Sequence, residues 1–221
     1  MSTTLDDLLR SKWLNAWKLY LLVAAPISLV MVLTMSRLDL SRADAVSSMI
    51  QLSVRCAVPL LFLVFAISAV QALFPGSLSR WLIRNRKHIG LCFATAMGWQ
   101  GFFILWLVGI HTEYYVSEVY VLTDAVEGVL GYSFLLAMVL TSFDFGRRRL
   151  TPKQWKLLHR SAIYWLWFYA WSVYWFNLFY YEGPPVPLDY IYYWGGLTAW
   201  VMRLAAWSKK RLKQTTAREP A

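Results

Sequence analysis

The stretch CAVPLLFLVFAISAVQALFPGSLS, residues 56–79, contains no charged residue. A bilayer core about 30 Å thick is crossed by about 20 consecutive apolar residues in a helix. The stretch exceeds that length, and it is a continuous apolar run. Strands of membrane barrels instead show segments of about ten residues that alternate in polarity. Residues 56–79 therefore predict a transmembrane helix.

Apolar segments on both sides of this stretch extend the same pattern along the chain. Residues 19–36, 89–110 and 161–181 are free of charge, whereas residues 119–143 and 188–207 contain a few charged side chains. The sequence therefore predicts an all-α, polytopic integral membrane protein whose single domain, residues 1–208, is a six-transmembrane-helix bundle. The predicted spans are about 17–36, 55–77, 88–110, 119–143, 159–181 and 187–207, and a basic tail follows at 209–221.

The positive charges fall mostly on one side of these predicted spans. The chain has 22 Lys and Arg residues against 12 Asp and Glu residues, and all the basic residues except Arg37, Arg42 and Arg55 fall on that side. An excess of Lys and Arg marks cytoplasmic loops, so both termini are predicted to be cytoplasmic. Basic clusters beside membrane spans favour anionic membrane lipids as partners rather than nucleic acid.

Three short motifs occur at the predicted helix boundaries. RNRKHIGL (84–91) opens the third helix, TSFD (141–144) closes the fourth, and WKLLHR (155–160) opens the fifth. In order and spacing they resemble the ferric-reductase-like transmembrane domain family, especially its bacterial heme-membrane subunits. The resemblance implies a bundle in the bacterial inner (cytoplasmic) membrane that holds heme b between histidines of the third and fifth helices. It also implies electron transfer between a quinol or a reductase and a partner protein.

The family's histidines correspond only partly to residues of this chain. His159 in WKLLHR matches the family histidine at the start of the fifth helix. The resemblance places further heme histidines at two positions that are here Gln100 and Ser172. An amide or a hydroxyl is not a strong axial ligand for a b-type heme. We therefore expect the membrane-embedded ligand pair of the family to be missing.

The remaining histidines leave two interpretations open. His88 and His159 both begin helices on the predicted cytoplasmic side, and together they could bind one heme b if those helices are neighbours. Alternatively, His88 in the basic run RNRKH is a solvated or lipid-facing side chain.

The aromatic run at 164–181 is also open to two interpretations. Trp171 and its neighbours, with Trp99, could fill the volume that a porphyrin occupies in relatives, because an empty cavity of that size costs stability. The alternative is that they are aromatic bulk facing lipid.

Polar residues within the spans supply the other candidate sites. Asp124 and Glu127 are three residues apart and share one face of the fourth helix. Carboxylates within membranes are often functional, so this pair could bind a proton, a cation or an arginine of a partner. The alternative is a solvated helix entrance near the outer surface. Gln100 and Asn177 are expected to form hydrogen bonds between helices.

Three functions follow from these observations. The first is an accessory or structural subunit that lacks the usual heme pair and docks another membrane protein or complex. The second is an electron-transfer subunit with a single heme b on His88 and His159, exchanging electrons with quinol. The third is a proton or small-ion pathway at Asp124 and Glu127. The sequence shows no complete catalytic site, so any enzymatic role would be that of an electron-transfer subunit of an oxidoreductase.

Overall fold

The computed structural model describes residues 2–216, and every regular element in that range is helical. The α-helices of this range are α1 (Ser2–Arg10), α2 (Ala16–Met35), α3 (Ala43–Leu73), α4 (Ser77–Ile110), α5 (Thr112–Tyr114), α6 (Leu122–Leu140), α7 (Asp144–Arg147), α8 (Pro152–Phe179) and α9 (Pro187–Thr216). A π-helical turn at Tyr115–Val119 joins α5 to α6. The predicted all-α class is confirmed. Of the predicted tail, residues 209–216 continue α9, and residues 217–221 lie outside the described range.

The helices α2, α3, α4 and α6 are long and apolar enough to cross a membrane. The chain is therefore a helical membrane protein. The predicted spans at 159–181 and 187–207 correspond to α8 and α9, which extend over 28 and 30 residues. The apolar part of α8 is rich in Trp and Tyr, whose N–H and O–H groups are polar. Asp189 and Arg203 interrupt α9. The crossing of these two helices stays a prediction.

The charge-free stretch at residues 56–79 lies mostly in α3, the central helix of the bundle. This helix packs against α2, α4, α8 and α9. In the most apolar 18-residue segment of α3, 50% of the residues are buried, whereas in the corresponding segment of α6 only 11% are buried. Ala57, Phe65 and Ile67 of α3 are fully buried. A helix that is apolar on all sides becomes central because neighbours can cover each of its faces.

The amino-terminal segment is hydrogen-bonded to α4 through Asn85, which is only 1% exposed. Its Oδ1 accepts a 2.9 Å hydrogen bond from the Ala16 N–H, and its Nδ2 donates to Asn15 Oδ1 at 2.9 Å and to the Trp81 carbonyl at 3.1 Å. Ala16 has φ 56°, the only positive φ of a non-glycine residue within 2–216. Asn85 therefore stabilises an uncommon backbone conformation at the start of α2.

The aromatic run of α8 divides between the bundle interior and the outer surface. Trp167 stacks on Phe65 of α3, with 5.0 Å between the ring centroids, and on Trp171 at 5.8 Å. The Trp167 indole N–H donates a 3.0 Å hydrogen bond to the carbonyl of Gly196 on α9. On the other side of α8, Phe168 is 55% exposed. The aromatic residues of α8 therefore lie partly in the bundle interior and partly on its outer surface, and their filling of a volume that a porphyrin occupies in relatives stays a prediction.

Trp99 lies apart from this aromatic stack. Its indole N–H donates to Ser28 Oγ of α2 at 3.1 Å, and its ring stacks on Phe103 at 6.0 Å between centroids. Trp171 packs against a different hydrophobic cluster, and its indole N–H donates to the Tyr193 carbonyl of α9. Trp99 and Trp171 therefore pack in separate clusters, and the hypothesis that they fill the volume of a porphyrin stays a prediction.

A basic cavity as the candidate functional site

A cavity of about 1030 Å³ opens between α3, α4, α6, α8 and α9, at the end of the bundle that carries the basic clusters. No Asp or Glu of the described chain lines it. Its cationic side chains are Arg86, Lys87, Arg147, Lys156, Arg160, Arg203, Lys210 and Arg211. The cavity therefore combines a large volume with a strong excess of positive charge.

Two local features of the sequence build the rim of this cavity between α6 and α8. Gly146 lies against the carbonyl oxygen of Leu140, so closely that a side chain there would collide with backbone. The chain can therefore fold back beneath α6 and bring Arg147 to the rim. Thr151 then caps α8, because its Oγ1 accepts from the Gln154 N–H at 3.3 Å while Gln154 Oε1 accepts from the Thr151 N–H at 2.9 Å.

His159 lines the cavity from the first turns of α8. Its Nε2 lies 2.9 Å from Thr141 Oγ1 of the TSFD motif, and its ring centroid lies 4.3 Å from that of Trp155. The Thr141 hydroxyl donates to the Ala137 carbonyl at 2.6 Å. Because a hydroxyl has only one proton to donate, His159 Nε2 acts as the donor to Thr141. In this tautomer only Nδ1 retains a lone pair for a metal ion.

His88 faces a different part of the molecule. Its ring makes an edge contact with Trp17 of α2 at 5.2 Å between centroids, and it does not line the cavity. Its Nδ1 is buried without a hydrogen-bond partner. Within residues 2–216 no hydrogen bond or ring contact joins His88 to His159. The residues therefore do not fit a heme held between two axial imidazoles in this arrangement, since only one imidazole reaches the cavity.

The two positions where the resemblance places heme histidines take part in ordinary packing. Gln100 Oε1 lies 3.0 Å from the hydroxyl of Tyr132 on α6, and that hydroxyl also lies 3.2 Å from the Met97 carbonyl. Ser172 Oγ donates to the Tyr169 carbonyl on its own helix at 2.9 Å. Tyr132 thus packs on α4 beside Gln100. The expected interhelical bond of Gln100 is confirmed.

Arg203 is the cavity residue whose position the sequence interpretation missed. Its guanidinium carbon lies 4.3 Å from the Phe65 ring centroid and 4.4 Å from that of Tyr164. Nη1 donates to the Phe65 carbonyl at 3.4 Å. In the sequence Arg203 is simply a cytoplasmic charge at the end of the sixth span. The signal that could have identified it is an isolated arginine in an apolar helix, because such charges usually face the bundle interior.

Aromatic rings, rather than carboxylates, accompany several of the other cavity cations. Lys87 Nζ lies 4.8 Å from the Phe143 ring centroid, and the Arg147 guanidinium lies 5.2 Å from that of Trp155. Cation–π contacts of this kind attract a cation without neutralising it. The one ion pair in the described part of the chain joins Arg42 to Asp44, away from the cavity. The positive charge of the cavity is therefore not compensated by the protein's own carboxylates.

Asp124 and Glu127 lie far from the cavity, in the first turns of α6. Asp124 is exposed and accepts a 3.3 Å hydrogen bond from Thr123 Oγ1, whereas Glu127 is half-buried. No group of three or more His, Cys, Asp or Glu side chains with the geometry of a metal site occurs in the described chain.

No family model, curated protein or solved structure matches the chain. The resemblance to the ferric-reductase-like family therefore stays a prediction that depends on the three quoted motifs.

Proposed function

We propose that the protein is an accessory subunit of a membrane complex, built on a six-span scaffold of the ferric-reductase-like type. Both termini lie in the cytoplasm, and the membrane is the bacterial inner membrane. The bias of Lys and Arg towards one side of the spans supports this orientation. The lengths of α8 and α9 support two spans in addition to the four strongly apolar helices.

The packing at Gln100 and Ser172 is the observation that carries the proposal. Gln100 is engaged by Tyr132 of a neighbouring helix, and Ser172 bonds to its own backbone. A bundle without opposed imidazoles at this level lacks the ligand pair on which heme relays depend. For a scaffold without that pair, we infer that the main role is binding another membrane protein.

Helix α6 supplies the surface for that partner. It is the least buried of the four strongly apolar helices, and a side chain at Gly128 would meet only open space. Small residues allow a second helix to approach closely. Asp124 and Glu127 lie beside Gly128 and would pair with an arginine or lysine of the partner helix, because a carboxylate within a membrane needs a partner.

Co-purification with matched variants tests this proposal. The tagged chain is isolated in mild detergent, and proteins that accompany it in constant stoichiometry are identified. Glu127→Gln is expected to remove at least about 90% of such a partner, since loss of one buried charge pair corresponds to tenfold or more in affinity. Glu118→Gln in the exposed π-helical turn is the control and should retain it. Equal retention by both variants would refute docking through α6. Ion flux in vesicles that is lost in Glu127→Gln without any partner would instead support an ion or proton pathway.

One observation favours the single-heme electron-transfer subunit as a second candidate. His159 lines a large cavity whose cations would neutralise the carboxylates of a heme. A bound heme would supply reversible one-electron transfer, for which quinol is the expected donor. His159 would ligate it only after the Thr141 bond to Nε2 is given up or through Nδ1, and His88 would have to leave Trp17. A reduced-minus-oxidised spectrum with a b-type signal that disappears in His159→Ala would establish this candidate over the first.

A further inference from the structure

We propose that the basic cavity binds the phosphate headgroup of an acidic phospholipid, with the lipid's apolar part lying along the inner cavity wall. This goes beyond the proposed partner docking, because the cavity and the surface of α6 that carries Asp124 and Glu127 are at opposite ends of that helix.

The charge of the cavity selects an anionic ligand. Five arginines and three lysines line it, and no carboxylate of the described chain does. Arg86, Arg160 and Arg203 line the same cavity, so their like charges repel one another. An anion placed among them would replace this repulsion with attraction. The forked guanidinium group binds two phosphate oxygens at once, so an arginine-rich site favours phosphate over a diffuse anion.

The length of the cavity and its apolar inner wall favour a ligand longer than phosphate itself. On α9 the lining runs from Arg203 to Gln214, which corresponds to about 16 Å along a helix. The inner wall includes buried apolar side chains of four helices, namely Val64, Phe93, Leu135 and Ile163. An inorganic phosphate would leave this apolar wall exposed to water. An amphiphile with an anionic head and hydrocarbon chains matches both parts of the cavity.

The position of the cavity in the bundle points to a lipid as the source of this amphiphile. The cationic rim, formed by exposed side chains such as Lys156 and Arg160, lies at the end of the bundle where the basic clusters meet the membrane surface. Basic pockets between transmembrane helices on the cytoplasmic side bind anionic lipid headgroups. The ligand is therefore an acidic phospholipid such as phosphatidylglycerol or cardiolipin, and it is held by direct phosphate contacts.

Native mass spectrometry of the full chain tests this inference. The protein is released from micelles that contain phosphatidylcholine together with phosphatidylglycerol or cardiolipin, and the lipid-bound fraction is measured as a function of lipid concentration. Arg86→Gln/Arg160→Gln removes two cavity cations, and Arg148→Gln/Arg149→Gln removes two exposed cations of the neighbouring loop that do not line the cavity. Lys156→Gln/Arg160→Gln changes only exposed rim residues, so it keeps the test valid if the Arg86 variant is unstable.

Binding of acidic lipid but not phosphatidylcholine is expected. Affinity should fall roughly a hundredfold in Arg86→Gln/Arg160→Gln, because each charge-assisted hydrogen bond corresponds to about a tenfold change. It should fall about tenfold in Lys156→Gln/Arg160→Gln, whose side chains are exposed but line the cavity, and stay within about twofold of wild type in the loop control, because Arg148 and Arg149 do not line it.

Three results would overturn the inference. Equal weakening in the cavity and loop variants would mean that the lipid is attracted only by the overall charge of this surface. Equal occupancy by inorganic phosphate or glycerol phosphate at the same phosphate concentration would assign the site to a soluble phosphate. A b-type absorption spectrum that is lost in Arg86→Gln/Arg160→Gln would assign the cavity to heme carboxylates.

Discussion

Replacing Gly196 by alanine tests how tightly α9 packs against α3 and α8. A Cβ atom at this position would lie 2.7 Å from Cδ1 of Trp171 and 2.8 Å from Cζ of Phe62. Neither ring moves freely, since Phe62 is only 7% exposed and the Trp171 indole is bonded to the Tyr193 carbonyl at 3.2 Å. The neighbouring Gly195 offers a matched control, because its Cβ would meet Phe62 at an ordinary 3.7 Å.

The magnitude follows from two opposing contributions to the free energy of unfolding. Alanine in place of glycine inside a helix stabilises by about 0.5–1 kcal/mol. Forcing an extra methyl group into a close-packed interior costs about 1–3 kcal/mol. The first contribution is common to Gly195→Ala and Gly196→Ala, and the second applies only to Gly196→Ala. We therefore expect Gly195→Ala to be stabilised and Gly196→Ala to be less stable than it by about 1–3 kcal/mol.

Thermal unfolding in detergent, followed by the fluorescence of the 13 tryptophans, measures this difference. For a chain of this size, 1 kcal/mol corresponds to about 2–4 °C in Tm. Equal Tm values for the two variants would refute the reasoning, because they would mean that Trp171 and Phe62 do not pack against Gly196 as described.

Three further substitutions test individual hydrogen bonds. Asn85→Ala removes the buried amide that holds the start of α2, and we expect a loss of about 2–4 kcal/mol together with faster hydrogen exchange of residues 2–20; unchanged exchange would contradict this anchoring role. Tyr132→Phe removes the hydroxyl that donates a hydrogen bond to Gln100 Oε1, so the free energy of unfolding should fall by about 1 kcal/mol and Tm with it. A variant with wild-type Tm would show that the bond does not form. Trp167→Phe retains the stacking but removes the indole N–H, so the Gly196 carbonyl keeps only its backbone bond within α9. A decrease of about 0.5–1.5 kcal/mol is expected in the same melt, and a stabilised variant would be inconsistent with the geometry.

The positions of the long helices could be predicted from the sequence, because the hydrocarbon core of a membrane offers no hydrogen-bond partners to the backbone of a chain that crosses it. A helix in lipid satisfies its own backbone groups, so a long apolar run is sufficient to indicate one. The predicted span at 55–77 lies within α3 except for its last four residues, and the predicted start of the fifth span lies within α8. The predicted interhelical role of Asn177 is also confirmed, since its Nδ2 donates to Asp189 Oδ1 at 3.1 Å. A polar group in a mostly apolar helix has few partners other than a neighbouring helix.

The candidate site could be predicted only in part from the sequence. The sequence drew attention to His159 and to the basic run around it, and both belong to the cavity. It paired His159 with His88 because both begin helices at the same end. The structure turns His88 towards Trp17, since the side on which a residue of α4 lies depends on the helical phase and on which helix packs there. A spacing along the chain does not contain that information.

By itself, the sequence determined the helical class, the membrane setting and the asymmetric distribution of charge, because each depends on runs of residues and not on which helices meet. Only the tertiary structure decided that α3 is central, that Trp99 and Trp171 lie apart, and that cations from four different helices surround one cavity. Arg86 and Arg203 are more than a hundred positions apart in the chain, and only the packing of α4 and α9 on α3 brings them to the same space.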